Sequence, residues 1–246
     1  MSLDQMVQVN IDVIFKMKDL INKYNIQARL IPSILIAIPL FLFQYVNLDS
    51  SQINFLKQLG EIEFLGNITI SIALIYFFMQ LNRYLGKHLF EKYYFKKQLY
   101  FPTTTWLMLY DTSLSENFKT KLRTKIQSDF NIVLLNIDEE QENDNLARKT
   151  IRDANGLIRR KVGNGKLTLQ HNIEYGFFRN LIGGTIIALP ITVIIFLINL
   201  DNNNFILGLT VLLGFIYSLL LIFSKQILWN KGCLYAEILF QEFMTQ

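Results

Sequence analysis

Four stretches of this chain contain no Asp, Glu, Lys or Arg: residues 30–48, 64–82, 180–200 and 202–224. Each holds close to the ~20 residues that an α-helix needs to cross ~30 Å of hydrocarbon. Composition agrees with that reading. Of the 246 residues, 51% are hydrophobic and 18% charged, more apolar than an ordinary soluble domain. The first run begins behind a charged amphipathic segment, too late and too long for a cleaved signal peptide. The expected fold is a mainly α membrane protein. Four transmembrane helices form two hairpins, at 28–82 and 180–225, flanking a small cytoplasmic α+β domain at 83–179. Amphipathic helices at 1–27 and 226–246 close the two ends.

Lys and Arg set the orientation. The connection between the first two spans carries Lys57 alone, and that between the last two carries none. The segment 83–179 has 17 Lys and Arg against 11 Asp and Glu, a net charge of +6. Its membrane-proximal residues include Arg83, Lys87, Lys92, Lys96 and Lys97 on one side, and Arg159, Arg160, Lys161, Lys166 and Arg179 on the other. Both flanks place it in the cytoplasm together with both termini.

At the N-terminus, Met6, Val9, Val13, Met17, Leu20 and Tyr24 recur at helical spacing. They predict a helix lying on the membrane or on the cytoplasmic domain, or else an oligomerisation helix. Pro39 and Pro190 fall inside spans and should bend them. Residues 82–98 read as a continuation of the second span, with lysines interleaved among Tyr84, Phe90, Tyr93, Tyr94 and Phe95. That pattern fits a membrane-interface belt, with headgroup or nucleic-acid contact as the rival. Residues 106–110 and 131–137 are short apolar runs with strand character. The helix between them has Leu114, Phe118, Leu122, Ile126 and Phe130 at four-residue spacing, capped by Ser113 or Ser115. The expectation is a small parallel strand–helix–strand unit. The run DEEQEND at 138–144 reads as a solvated acidic loop, since it lacks the glycine and spacing of a Ca²⁺ loop.

Residues 145–162 predict a helix with Ala147, Ile151, Ala154 and Ile158 on its apolar face. Arg148, Arg152, Asn155 and Arg159 fall on one polar stripe, and Arg160 and Lys161 extend the charge toward the membrane. Guanidinium forks in a row suit phosphates; a solvated or headgroup-facing surface is the other meaning of such a stripe. His171, Tyr175 and Arg179 lead from this helix into the third span and are candidates for ligand contact and coupling. Within the spans, Gly183, Gly184, Thr185, Pro190, Thr192, Thr210, Gly214 and Ser218 are the groups available for close packing, bending or lining a path. No span holds a charge, which argues against an ion-coupled transporter and allows a passive pore.

Cys233 is the only cysteine, and His88 and His171 are the only histidines. No metal site of ordinary ligand count is expected, nor any cofactor. There is no phosphate loop, nucleophile elbow or HExxH motif, so no catalytic residue is assigned and an enzyme is not expected.

Three clusters taken together carry a resemblance: FPTT at 101–104 with its continuation through Asp111 and Ser113, the helix with Arg148, Arg152, Asp153 and Asn155, and HNIEYGFFRNLIGG at 171–184. The chain resembles the transmembrane channel effectors of the Hailong anti-phage defence system. The resemblance implies a homo-oligomeric inner-membrane channel, taken first as a tetramer. It implies a partner nucleotidyltransferase and control by single-stranded oligodeoxyadenylate. Opening would depolarise the infected cell. The rival is a non-conducting, membrane-anchored sensor or scaffold for an anionic partner or lipid headgroups.

Overall fold

The computed structural model describes residues 22–47, 64–163, 165–200 and 204–246. The expected amphipathic helix up to residue 21 and the expected hairpin connections at 48–63 and 201–203 lie outside the described residues. Helix α1 (Ile31–Asn47) continues a single turn, Lys23–Asn25, and a π-helical turn, Ile26–Leu30. Helix α2 (Phe64–Leu85) runs through a second π-helical stretch, Gly86–Glu91, into Lys92–Phe95. It ends where Lys96, Lys97 and Gln98 take φ of 42°, 57° and 71°. After the short α3 (Pro102–Thr105) come α4 (Glu116–Phe130), α5 (Ile137–Glu142) and α6 (Asp144–Val162). The chain finishes with α7 (Lys166–Ile198), α8 (Asn204–Ile222) and α9 (Ser224–Thr245).

Helix α7 is the spine. Its 33 residues form one unbroken helix, about 50 Å long at 1.5 Å per residue. Helices α1, α2, α8 and α9 and both π-helical stretches pack along it. Small residues let three helices meet at one level. A Cβ on Gly183 would stand 2.4 Å from the Gly86 nitrogen and 2.5 Å from the Asn82 carbonyl. One on Gly184 would meet Ile36 at 2.6 Å, and one on Gly86 would meet the Arg179 carbonyl at 2.5 Å. Amide side chains complete the crossing. Asn82 Nδ2 donates to Ser33 Oγ at 3.0 Å, and Asn180 Nδ2 donates to the Ala28 carbonyl at 2.6 Å. Pro32, four residues beyond Ala28, has no N–H to offer that carbonyl, so the local backbone defect and the long-range bond explain each other.

The expected α+β domain is helical instead. Among the described residues there is no strand. The runs 106–110 and 131–137 are turns and unpaired extended chain ending at the start of α5. Side chains take the place of a sheet ladder. Lys119 Nζ donates to the Met108 carbonyl at 2.8 Å, Arg123 Nη1 donates to the Leu107 carbonyl at 2.6 Å, and Arg123 Nη2 donates to the Leu135 carbonyl. The Leu109 N–H donates to Glu140 Oε2 at 2.7 Å. With these backbone groups satisfied by side chains, no neighbouring strand is required. The acidic run is likewise not a loop. It forms α5 behind an Asn136–Glu139 capping box, with Glu140 buried against Arg123 at 2.9 Å. Ser115 is the residue that caps α4, through the Phe118 N–H at 3.4 Å.

The largest core joins the central segment to the C-terminal helix. Leu107, Met108, Leu122, Ile126, Ile151 and Ile158 pack with Leu228, Leu239, Phe240 and Phe243. The N-terminus of α7 is held there, because the Leu167 N–H donates to Glu242 Oε1 at 3.1 Å. A smaller cluster, Ile36, Leu181, Ala188 and Tyr217, binds α1, α7 and α8, and Tyr217 donates to the Leu35 carbonyl at 2.9 Å. Beyond that level the surface is apolar. Ile34, Phe77, Leu197, Phe215 at 61% and Phe205 at 78% stand exposed on α1, α2, α7 and α8. Two helices, Lys166–Ile198 and Phe205–Ile222, are long and apolar enough to cross a membrane.

The crossing predicts a specific sensitivity. Gly183→Ala should lower stability by about 1–3 kcal/mol through overpacking against backbone. Gly208→Ala, with nothing within 4 Å of its added Cβ, should leave stability unchanged or raise it through helix propensity. Thermal unfolding of the detergent-solubilised variants, followed by size-exclusion chromatography, reads the difference.

Candidate functional site

The polar stripe on α6 lies along one edge of its buried face, not out in solvent. Ala147, Ile151, Ala154 and Ile158 are fully buried, and the stripe borders them. Its four members therefore divide. Arg148 is 4% exposed. Its Nε donates to Asp144 Oδ1 and Oδ2 at 3.0 and 2.9 Å and its Nη1 to the Leu99 carbonyl at 2.9 Å, while Nη2 donates to the Tyr110 hydroxyl. Its guanidinium also covers the Tyr100 ring at 4.1 Å. Asn155 is fully buried and donates to the Thr103 carbonyl at 2.9 Å. These two residues, expected at a ligand, hold the loop 99–110 onto α6.

The remaining arginines border a cleft. Arg152, Arg159 and Arg160 line an open hollow of about 470 Å³ together with Asp153, Gly156, Leu157 and Gln98. Arg152 pairs with the adjacent Asp153 at 2.8 Å, and Arg159 Nη2 donates to Gln98 Oε1 at 2.8 Å. Arg160 is exposed at the edge. Gly156 has nothing within 4 Å of a built Cβ, so the floor is open there. Gln98 is brought in by the three left-handed residues that end the second helical run, a conformation costing roughly 1–3 kcal/mol per residue. Lys161 turns away from the cleft. It donates to Asp129 Oδ2 at 2.8 Å, and that bond holds the Asp129 carboxyl below its ordinary value.

His171, Tyr175 and Arg179 do not reach the cleft surface. Tyr175 is buried edge-on against Phe101, with ring centres 5.2 Å apart. The Nδ1 atom of His171 is buried without a hydrogen-bond partner. Arg179 is buried at the helix crossing and pairs with Glu91 at 3.4 Å. Arg179 nonetheless connects to the cleft. From Arg159 the bonds run to Gln98, from Gln98 Nε2 to Glu91 Oε1 at 3.4 Å, from Glu91 to Arg179, and from Arg179 to Asn180 Oδ1 at 3.4 Å. Asn180 closes the line on Ala28. One chain of polar groups thus joins the cationic cleft to the level where α1, α2 and α7 meet. Glu91 was legible as the lone carboxylate among the lysines of 82–98, and Asn180 as an amide entering an apolar run. Gln98 carried no signal.

The span residues expected at a gate fall into two groups. Gly183 and Gly184 are buried in the crossing. Thr185, Thr192 and Thr210 are buried with their hydroxyls donating to carbonyls of their own helices, at 2.5, 2.8 and 2.9 Å. Gly214 sits beside the Thr192 methyl at 3.8 Å; Ser218 is half-buried and Pro190 is exposed.

No family model matches this chain, and neither a curated protein nor a solved structure is significantly similar to it.

Two neighbouring arginines of this stripe should respond differently to truncation. Arg148→Ala leaves the half-exposed Asp144 and the Leu99 carbonyl without their donor and should cost about 1–3 kcal/mol, as leaving a buried acceptor unsatisfied does. Arg152→Ala should stay within about 0.5 kcal/mol. Denaturation midpoints of the two purified variants make the comparison.

Proposed function

We propose that this chain is a ligand-gated pore effector of a bacterial inner membrane, controlled by an anionic nucleotide or a single-stranded oligodeoxyadenylate held in the arginine cleft. The polar line from Arg159 through Gln98, Glu91 and Arg179 to Asn180 carries the reading. A phosphate in the cleft competes with Gln98 for Arg159. That competition alters what Gln98 offers to Glu91, and Glu91 is the partner of Arg179 at the helix crossing. Turning a 1:99 equilibrium into 99:1 takes on the order of 5.5 kcal/mol of differential affinity, within reach of a few charge-assisted contacts.

The membrane part of this proposal has four spans. Helices α1 and α2 form one hairpin beside the pair α7 and α8, with the apolar surface in lipid and both termini in the cytoplasm. A homo-oligomer, with a tetramer as the first arrangement to test, would supply the walls of a path. A nucleotidyltransferase is the partner that would make the ligand, and anti-phage defence is the setting implied by the resemblance. Opening would then depolarise the cell.

A second reading has an observation of its own. Thr185, Thr192 and Thr210 spend their hydroxyls on their own helix carbonyls, which leaves few polar groups for a water-filled path. A non-conducting membrane sensor that recruits an anionic partner fits that arrangement.

Two measurements test the proposal, and the second separates the readings. Binding of a labelled oligodeoxyadenylate should weaken with salt at a log–log slope of about −2, as three arginine–phosphate contacts on a single strand require. Arg152→Glu with Arg160→Glu should remove it. Proteoliposomes should pass ions in one of the two ligand states only. Vesicles that never conduct, with or without the oligonucleotide, reject the pore and leave the sensor.

A further inference from the structure

A second basic cluster lies outside the cleft, where the apolar surface begins. Arg29 occupies the π-helical turn Ile26–Leu30, immediately before the exposed Ile31, Ile34 and Leu35 of α1. Arg83 and Lys87 stand one turn apart at the end of α2 and in the stretch after it, just past its exposed apolar run from Ile72 to Phe77. The two helices carry their cations at the same end of their apolar surfaces and are tied there by Asn82 and Ser33 at 3.0 Å. All three cations are half-buried. Among the described residues none of them lies within ion-pair distance of a carboxylate; Glu91, whose charge acts on Lys87, is paired with Arg179. Arg29 rests on the Tyr24 ring at 5.2 Å, and its Nε is buried without a hydrogen-bond partner. Lys87 registers the crowding. Burial pushes its ammonium below the ordinary value, Arg179, Arg83 and Arg29 push the same way, and only Glu91 opposes them. Tyr84, stacked on His88 at 4.2 Å, adds an exposed aromatic at the same level.

Cations crowded against one another, with no carboxylate partner among the described residues, cost free energy unless an anion joins them. At the boundary between an apolar belt and water, the anion supplied in excess is a phospholipid headgroup. We propose that Arg29, Arg83 and Lys87 form a binding site for the phosphate of an anionic phospholipid, whose acyl chains lie along the exposed faces of α1 and α2. The site rests on the apolar surface being embedded in a bilayer, and on neither conduction nor the ligand of the arginine cleft. It differs from a general basic coat in being built from two helices fastened together at the same level.

Native mass spectrometry of the full chain in mild detergent tests it, with phosphatidylglycerol, phosphatidylcholine and inorganic phosphate as probes. Phosphatidylglycerol should bind at least about fivefold more tightly than phosphatidylcholine, the factor that one surface cation supplies. Arg83→Gln with Lys87→Gln should erase that preference. Arg83→Lys with Lys87→Arg should keep it, as should Lys121→Gln with Lys149→Gln, which removes equal charge from the surface of α4 and α6. The Arg152→Glu and Arg160→Glu variant should also keep it while losing the oligonucleotide. Three outcomes overturn the site: no preference in the wild type, an equal loss when Lys121 and Lys149 are changed, or displacement of the lipid by millimolar inorganic phosphate. If alkaline carbonate strips the protein from membranes, the bilayer placement itself has failed, a result distinct from all three.

Discussion

The close approach of α1 and α2 to α7 governs the rest of the structure. Backbone meets backbone there, at Gly86 against Gly183 and beside Gly184. Apolar side chains alone give little specificity where every surface is apolar, and small residues with buried amides supply it instead. Asn82 and Asn180 each bridge to α1 or the turn before it, and Asn180 does so at a carbonyl beyond the reach of Pro32. The π-helical turns on both partner helices fall at this level. Such turns recur at functional positions, and here they set the level at which Arg29, Lys87 and Glu91 are presented.

Above the crossing, a second economy holds the central segment together without a sheet. Lys119 and Glu140 are buried, and Arg123 nearly so, because each serves backbone groups of chain that has no strand partner. Burial holds the Lys119 ammonium below its ordinary value, the expected cost of taking a charge out of water. Carbonyl acceptors on two sides offset that cost. The C-terminal helix closes the same core, and Glu242 reaches the first turn of α7. The central core and the apolar helices therefore share one element, the unbroken helix α7.

Much of this was legible from residue order. The helices around 116–130 and 145–162, the stop near Gly163 and the helical continuation past residue 82 follow from spacing and caps, which are local. The strand expectation failed because a short apolar run carries no record of what will pair with its backbone. At 106–110 and 131–137 the partners are charged side chains from α4 and α5. The stripe on α6 failed in half for a related reason. Helical spacing placed Arg148, Arg152, Asn155 and Arg159 together, but whether an edge residue faces solvent depends on what packs beside it. The loop 99–110 packs beside Arg148 and Asn155.

The sequence by itself determined the long apolar helices and the amphipathic faces, because those depend only on composition and on the helical repeat. It also marked the basic character of the segment between them. Only the tertiary structure decided which arginines line the cleft, that Gln98 and Glu91 lie between Arg159 and Arg179, and that the Asn82–Ser33 bond brings Arg29 to the level of Arg83 and Lys87. Those pairings join residues far apart in the chain. They exist because glycine and asparagine at one crossing let three helices approach more closely than any periodicity can report.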